Sequence, residues 1–325
     1  MVTRRRPAAA KSAPTVERLV ADALDALERE RKARAAALAR LAARAPAPKA
    51  GARRAGTAPA AASALAKPGP ARASAGTLVA EGDSWFDYPF FDVLKALELD
   101  HGYDIESVAR RGDTVEGMAY GGAQLSAFAS RLDKVLRRGE SVRGVLLSGG
   151  GNDIAGAEFA MLLDHAASRS RGLNSRIVEA VIDERLFEAF VVLVETVTRV
   201  CAAVRPVGAP RLPIVLHGYD YPVADGRGFA GGWWVLPGPW LAPGLHQKGY
   251  APLTDGRGLL IELIDRFNAM LARLAAMPEF AHLRHVDLRG SLPAERHREW
   301  WADELHPSRK GFRKVASAFA DALRD

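Results

Sequence analysis

The stretch Thr77-Leu78-Val79-Ala80-Glu81-Gly82-Asp83-Ser84 decides the fold, because an apolar run ends there in a short polar turn. Short apolar runs bounded by Gly, Asp or Ser are typical of β-strands. Four further runs of this kind follow along the chain. The predicted strands are 77–82, 104–109, 144–149, 212–219 and 284–288.

Helical patterns separate these strands, at about 90–99, 115–138, 175–204 and 258–276, with a closing helix at 308–323. Strands that alternate with helices indicate crossover connections and a parallel sheet. The sequence therefore predicts an α/β domain with a three-layer, flavodoxin-like parallel sheet. In such sheets ligands bind beyond the carboxyl ends of the strands.

Polar segments follow the predicted strands at their carboxyl ends. Ser84 stands in Gly-Asp-Ser, Gly112 in Arg-Arg-Gly-Asp, and Asn152 in Gly-Gly-Asn-Asp. A fourth segment, Asp-Glu-Leu-His-Pro, places Asp303 and His306 just before the closing helix. We expect the four segments to meet in one site.

Together these residue types match the requirements of acyl transfer through a serine. A serine hydroxyl needs a base, and Asp303 precedes His306 by the three residues that let a carboxylate reach one ring nitrogen. The other nitrogen then remains for Ser84. Taken singly, Ser84 in a turn or helix cap and an exposed Asp-x-x-His at a helix start explain the same residues.

The oxyanion of a tetrahedral intermediate needs hydrogen-bond donors. The side-chain amide of Asn152 and the main-chain amides of Ser84 and Gly112 are the candidates. A glycine-rich loop can instead hold phosphate, but the segment around Asn152 lacks the Lys-Ser/Thr ending of a P-loop. The Gly-x-Ser-x-Gly elbow of α/β-hydrolases is absent as well.

As a set, the four segments resemble the SGNH or GDSL-type serine hydrolase family of esterases and lipases, over about 78–325. All four family blocks are present in order, although Trp85 stands where the name GDSL has its leucine. The resemblance implies hydrolysis of an ester or thioester through a Ser84 acyl-enzyme, with His306 as base and Asp303 orienting it. It also implies an oxyanion hole of Ser84, Gly112 and Asn152, with no metal or organic cofactor.

The segment 220–252 is rich in Gly, Pro and Trp and has no regular period. Long irregular segments of this kind are usually binding loops, and a rigid cap over the sheet end is the alternative. The residues predicted to line a substrate pocket are Trp85, His217, Trp233 and Trp234. His217 has a second interpretation as a hydrogen-bonded structural histidine.

The first 76 residues differ from the rest in charge. They hold 16 Lys and Arg against 5 Asp and Glu, whereas residues 77–325 hold 29 against 33, so the net charges are +11 and −4. The sequence predicts a helix at about 14–45, alone or self-associating, and a flexible linker at 46–76. This basic extension is predicted to contact an anionic polymer or membrane surface, although it carries no specific nucleic-acid motif.

The single cysteine, Cys201, cannot form an intrachain disulfide, and no apolar run is long enough for a transmembrane helix. Because the start also lacks the apolar run of a signal peptide, we expect a cytoplasmic protein. The predicted function is a serine ester hydrolase acting on a small or lipid-like ester, over residues 77–325. The alternatives are a carbohydrate O-acetylesterase, or a non-catalytic binding domain whose basic extension anchors it to a polyanion or membrane.

Overall fold

Five parallel strands form the centre of the computed structural model, which describes residues 15–44, 74–231 and 236–324. Their order is β2-β1-β3-β6-β7, and β4 and β5 form a separate antiparallel pair. The strands are β1 Thr77–Glu81, β2 Asp104–Ser107, β3 Val142–Leu147, β4 Leu163–Asp164, β5 Gly172–Leu173, β6 Ile214–His217 and β7 Leu283–Val286. The five strands predicted from the sequence are thus confirmed, and so is the parallel sheet.

Helices cover both faces of this sheet. They are α1 Val16–Arg44, α2 Val93–His101, α3 Val115–Tyr120, α4 Gly122–Arg137, α5 Gly151–Ile154, α6 Ser175–Val178, α7 Phe187–Val204, α8 Ala242–Gln247, α9 Asp255–Ala275, α10 His297–Trp300 and α11 Arg309–Arg324. Shorter 3-10 turns span Phe159–Leu162, Phe229–Gly231, Pro278–Phe280 and Ala294–Arg296. Helices α2 and α11 pack together on one face, while α3, α4, α7 and α9 form the other layer around α7. The α/β three-layer prediction is therefore confirmed.

The centre of the sheet is apolar because both of its faces are covered. Every residue of β1 is buried, and Leu78 pairs with Ile105 of β2 on one side and Gly144 of β3 on the other. Continuous apolar runs are the expected signature of parallel strands that are buried on both faces. This arrangement fixes the carboxyl ends of β1 and β3 side by side.

Two predicted helices differ in detail from the structure. The predicted helix 115–138 is interrupted at Gly121, whose backbone leaves the helical region with φ −73° and ψ 86°. The predicted helix 175–204 contains a π-helical segment, Glu179–Leu186, between α6 and α7. The spacing of apolar residues could not indicate either break, because a buried face continues through both segments.

Helix α1 is not a lone helix. Val20, Ala23 and Leu27 are buried where it packs against α4 and α7, and Arg31 pairs with Asp133 of α4. The predicted linker falls largely on 45–73, which lie outside the described residues. No helix in the described ranges has the length and apolar character needed to cross a membrane.

Candidate active site

Ser84 lies in the turn that follows β1, and this turn is held from beneath by Asp83. The buried Asp83 carboxylate accepts hydrogen bonds from Trp85 N at 3.0 Å, Ser148 Oγ at 2.7 Å and Tyr219 Oη at 2.7 Å. Gly82 is required here because a Cβ atom would lie 2.7 Å from the Ser148 side chain. The turn that carries Ser84, called the Ser84 turn below, is therefore fixed against the end of β3.

The structure brings Ser84, His306 and Asp303 together. Ser84 Oγ lies 2.7 Å from His306 Nε2, across 222 residues of sequence. On the other side of the ring, His306 Nδ1 lies 2.9 Å and 3.1 Å from the two carboxylate oxygens of Asp303. The arrangement is hydroxyl, imidazole and carboxylate in one hydrogen-bonded line.

Asp303 is buried, yet it is kept ionised. Burial alone raises the pKa of its carboxyl group, but the hydrogen bond and charge of His306 and the amides of Leu305 and His306 lower it. The net pKa is below the ordinary value. The carboxylate therefore carries its negative charge at neutral pH and faces Nδ1 of His306.

Tyr88 also belongs to this group, although no sequence pattern indicated it. Its hydroxyl donates to Asp303 Oδ2 at 2.9 Å, and its ring stacks on the His306 ring with centroids 4.4 Å apart. Burial, together with Asp303, raises the pKa of Tyr88 well above its usual range, so the hydroxyl stays a donor. Tyr88 thus fixes both the carboxylate and the plane of the imidazole.

Asn152 lies on α5, immediately after β3, and lines the same cavity as Ser84 and His306. Its side-chain nitrogen donates to Asp113 O at 2.9 Å, which leaves its second N–H group for another acceptor. The bond to Asp113 also connects Asn152 to the segment that carries Gly112.

Gly112 is not one of the residues that line the cavity. It is exposed and has a φ of +85°. The segment that carries Gly112 is nevertheless joined to the Ser84 turn, because Arg110 N donates to Gly82 O at 2.9 Å. The main-chain amides of Ser84 and Gly112 have no hydrogen-bond partner among the described residues.

Tyr219, which lies just after β6, connects the Ser84 turn to the segment that carries Asn152. The Tyr219 hydroxyl donates to Asp83 and accepts a hydrogen bond from Gly151 N at 3.0 Å. The ring is buried, stacks on Phe267 and meets Trp85 edge-on. One hydroxyl therefore ties together the residues that flank Ser84 and Asn152.

His217 does not line the cavity, so its interpretation as a pocket residue was wrong. It is completely buried beneath Trp85, with ring centroids 5.0 Å apart. Its Nε2 lies 2.8 Å from Ser148 Oγ, and its Nδ1 lies 3.0 Å from Gly218 O. Burial lowers its pKa to about 4, so the imidazole is a neutral structural group.

Of the other predicted pocket residues, Trp85 does line the cavity, and its indole nitrogen donates to Leu305 O at 3.0 Å. Trp233 and Trp234 lie outside the described residues.

Glu304, next to Asp303, attaches the irregular segment 220–252 to the site. Its fully buried carboxylate accepts hydrogen bonds from the main-chain amides of Gly226, Trp240, Leu241 and Ala242. The Trp240 ring meets the His306 ring edge-on at 5.4 Å. With α8 and a 3-10 turn inside it, the described part of this segment is a fixed cap rather than a structureless loop.

A cavity of about 50 Å³ opens at Ser84. Its polar lining residues are Ser84, Asn152, His306, Asp83, Tyr219 and Asp220, and most of its remaining wall is apolar. The site thus places the hydrogen-bonded serine, histidine and aspartate next to an amide donor and a small apolar space.

Comparison with known proteins gives similarity at the level of structure. No family model matches this chain, and no curated protein matches it. Solved structures similar to it include an extracellular lipase from Streptomyces rimosus (15% identity, 76% of this chain and 100% of that one, TM-score 0.45). A putative GDSL-like lipase from Parabacteroides merdae shares 14% identity over 77% of this chain and 96% of its own, with a TM-score of 0.45.

A catalytic mutant of an acetylxylan esterase from Geobacillus stearothermophilus is also similar, at 14% identity over 77% of this chain and 94% of its own, with a TM-score of 0.42.

Proposed function

We propose that this protein is a serine hydrolase that cleaves a carboxylic ester or thioester through an acyl-enzyme on Ser84. The observation that carries the proposal is the hydrogen-bonded line from Ser84 Oγ through His306 to the ionised Asp303. An exposed turn and a solvated Asp-x-x-His, the simpler interpretations of these residues, would not bring the three groups into contact. The same contact argues against a non-catalytic binding domain.

The first half of the reaction follows from this geometry. Because His306 Nδ1 faces a carboxylate, it carries the ring proton, and Nε2 is left to accept the proton of Ser84. Ser84 Oγ then attacks the carbonyl carbon, and the imidazolium formed on His306 is stabilised by Asp303. His306 returns the proton to the departing alcohol or thiol, leaving the acyl group on Ser84.

The second half reverses the proton transfers with water. His306 Nε2 takes a proton from a water molecule, which attacks the acyl carbon and releases the acid and Ser84. In both halves negative charge develops on the carbonyl oxygen. We assign its donors to the free N–H of Asn152 and the unpartnered main-chain amide of Ser84. The amide of Gly112 is a third candidate that does not line the cavity.

The decisive test is the variant Ser84→Ala, assayed with p-nitrophenyl acetate and butyrate. Loss of the nucleophile is expected to lower kcat by roughly 10⁴-fold or more and to abolish labelling by a fluorophosphonate. Ser317→Ala, on the outer helix α11, is the matched control and is expected to retain full activity. An unchanged rate in Ser84→Ala would reject the proposal.

A further inference from the structure

Glu81, the last residue of β1, carries a buried carboxyl group that takes no part in the proposed reaction. The residue is 1% exposed. Its Oε1 atom accepts hydrogen bonds from Gly82 N at 3.1 Å and from Gln124 Nε2 at 3.2 Å. Its Oε2 atom is also buried and has no hydrogen-bond partner among the described residues. One of the two carboxyl oxygens is therefore shielded from water without gaining a protein donor.

This arrangement favours the protonated form of Glu81. Glu304, which is also fully buried, accepts four main-chain N–H groups on its two oxygens, whereas Glu81 accepts two, both on Oε1. An ionised Glu81 would place negative charge on an oxygen without a donor, which costs far more than burial of the neutral acid. Burial accordingly raises the pKa of Glu81 to about 8. At neutral pH the proton is therefore retained, and Oε2 is the atom free to carry it.

Gln124 of α4 links Glu81 to the segment that receives Asn152. The side-chain nitrogen of Gln124 has two N–H groups, and it donates both to Glu81 Oε1 and to Asp113 Oδ2. The main-chain oxygen of Asp113 in turn accepts a hydrogen bond from Asn152 Nδ2 at 2.9 Å. Three hydrogen bonds thus lead from the buried acid to the amide group that we assign to the oxyanion.

The charges around Glu81 make this link sensitive to its protonation. From the segment after β2, the Asp113 carboxylate raises the pKa of Glu81 and the exposed Arg110 guanidinium lowers it. Helix α4 contributes the neutral Gln124, and the residue paired with Glu81 on β3 is the apolar Leu147. When Glu81 ionises, two carboxylates meet across one amide group, and like charges at such a distance repel. Glu81 is fixed in the sheet, so the Asp113 segment is the part that moves.

We propose that Glu81 is a positioning residue that, as a neutral acid, holds Asn152 in place through Gln124 and Asp113, and that its ionisation displaces this donor and lowers activity at alkaline pH. The inference rests on the proposed function, since it requires Asn152 to act in catalysis. Glu81 itself neither touches the substrate nor exchanges a proton with it. The site is fully active only while Glu81 keeps its proton.

The first test is the pH dependence of kcat for p-nitrophenyl acetate in wild type and in Glu81→Gln. Wild-type kcat is expected to fall above about pH 8, by up to about tenfold for each further pH unit. Glu81→Gln keeps an acceptor oxygen and cannot ionise. Its kcat is expected to stay level to about pH 9.5 and to lie within about threefold of wild type at neutral pH. Glu98→Gln is the control, since Glu98 pairs with Lys95 at the surface of α2, and it is expected to keep the wild-type profile.

The second test removes the other charge. Asp113→Asn keeps the main-chain oxygen that receives Asn152 and a side-chain acceptor for Gln124, but it carries no negative charge. If ionised Glu81 acts by repelling Asp113, this variant is expected to lose most of the alkaline fall in kcat. The double variant Glu81→Gln/Asp113→Asn is then expected to behave like Glu81→Gln. A complete alkaline fall in Asp113→Asn would overturn the proposed link.

The protonation of Glu81 can also be measured without a substrate. The folded chain keeps a proton that the unfolded chain releases above its ordinary pKa of 4.5, so the stability of wild type is expected to fall as the pH rises from 4.5 to about 8. Urea unfolding should show this fall relative to Glu81→Gln, and the difference should become constant at higher pH. Parallel stabilities of the two proteins over this range would show that Glu81 holds no extra proton and would overturn the proposal.

The outcomes keep the two proposals apart. Fluorophosphonate labelling of Ser84 together with a flat alkaline profile in wild type would overturn the role of Glu81 and leave the hydrolase intact. An undiminished alkaline fall in Glu81→Gln would do the same. Failure to label Ser84 and to hydrolyse any ester would reject the hydrolase and the positioning role with it, whatever the urea measurements show.

Discussion

The two halves of the candidate site are built on different supports. Ser84 and Asn152 follow neighbouring strands, β1 and β3, whose pairing already sets the distance between them. Asp303 and His306 lie between α10 and α11, in a segment outside the helices and strands. An isolated bridge between Trp301 and Pro307 closes it, together with main-chain hydrogen bonds such as that from Ala302 N to His306 O at 2.8 Å. We call these the strand-borne half and the loop-borne half.

The loop-borne half obtains its precision from carboxylates that bind main-chain amides. Asp303 binds the amides of Leu305 and His306 as well as the imidazole, and Glu304 binds four amides of the cap. In the strand-borne half, the Tyr219 hydroxyl joins the two segments by binding Asp83 and the amide of Gly151. A loop can thus hold a histidine in place through buried carboxylates that are fully hydrogen-bonded, where the other half relies on paired strands.

The largest effect is expected from Asp303→Asn in the loop-borne half. An amide cannot stabilise the imidazolium and favours the wrong tautomer of His306, so kcat is expected to fall by about 10³–10⁴-fold. The measurement is steady-state hydrolysis of p-nitrophenyl acetate, with circular dichroism to confirm the fold. A decrease below tenfold would show that Asp303 does not orient the base.

The same variant tests the charge of Asp303 through stability. Because the folded-state pKa is lowered, the stabilisation from Asp303 is complete above the unfolded-state pKa and is lost as the pH falls through the folded-state pKa. Between pH 6 and pH 3, urea unfolding is therefore expected to show a larger loss of stability for wild type than for Asp303→Asn. Equal losses would contradict an ionised, stabilising carboxylate.

The next effect is expected from Tyr219→Phe in the strand-borne half. Without the hydroxyl, Gly151 N loses its acceptor and Asn152 can shift from Ser84, so kcat is expected to fall by about 10–100-fold with KM unchanged. Affinity for an aryl boronic acid, which mimics the tetrahedral state, should fall in parallel. A purely structural role would lower the melting temperature and leave this affinity intact.

Tyr221→Phe is the matched control for Tyr219→Phe. Tyr221 also donates its hydroxyl to a carboxylate, that of Asp265 at 2.8 Å, but it does not line the cavity. It is expected to keep wild-type kcat. If the two variants behave alike, Tyr219 does not link the two donor segments.

A smaller effect is expected from Glu304→Gln, which replaces a carboxylate facing four amide donors by an amide with one acceptor oxygen. The cap should loosen from the loop-borne half, lowering kcat/KM about tenfold and stability by roughly 1–3 kcal/mol. Glu299→Gln is the control, since Glu299 on α10 is exposed and pairs only with surface cations. Equal stability of the two variants would show that Glu304 does not hold the cap.

The sequence was sufficient for the residues that stand in local patterns. Ser84 and Asn152 follow strands, and the three-residue spacing of Asp303 and His306 is visible without a structure. Tyr88, Tyr219 and Glu304 could not be found in this way, since their partners lie 215, 136 and 64 residues away. His217 shows the converse limit, because a residue at a strand end can point beneath the site instead of into it.

The smallest effect is expected from Tyr88→Phe, which keeps the ring on His306 and removes only the hydrogen bond to Asp303. Asp303 retains its contacts with His306 and two amides, so kcat is expected to fall only about three- to tenfold, the value of one ordinary hydrogen bond. Tyr88→Ala, which also removes the stacked ring, should fall further. If Tyr88→Phe matched Asp303→Asn in its loss of kcat, the loop-borne half would depend on a single bond rather than on the shared set of hydrogen bonds seen around Asp303.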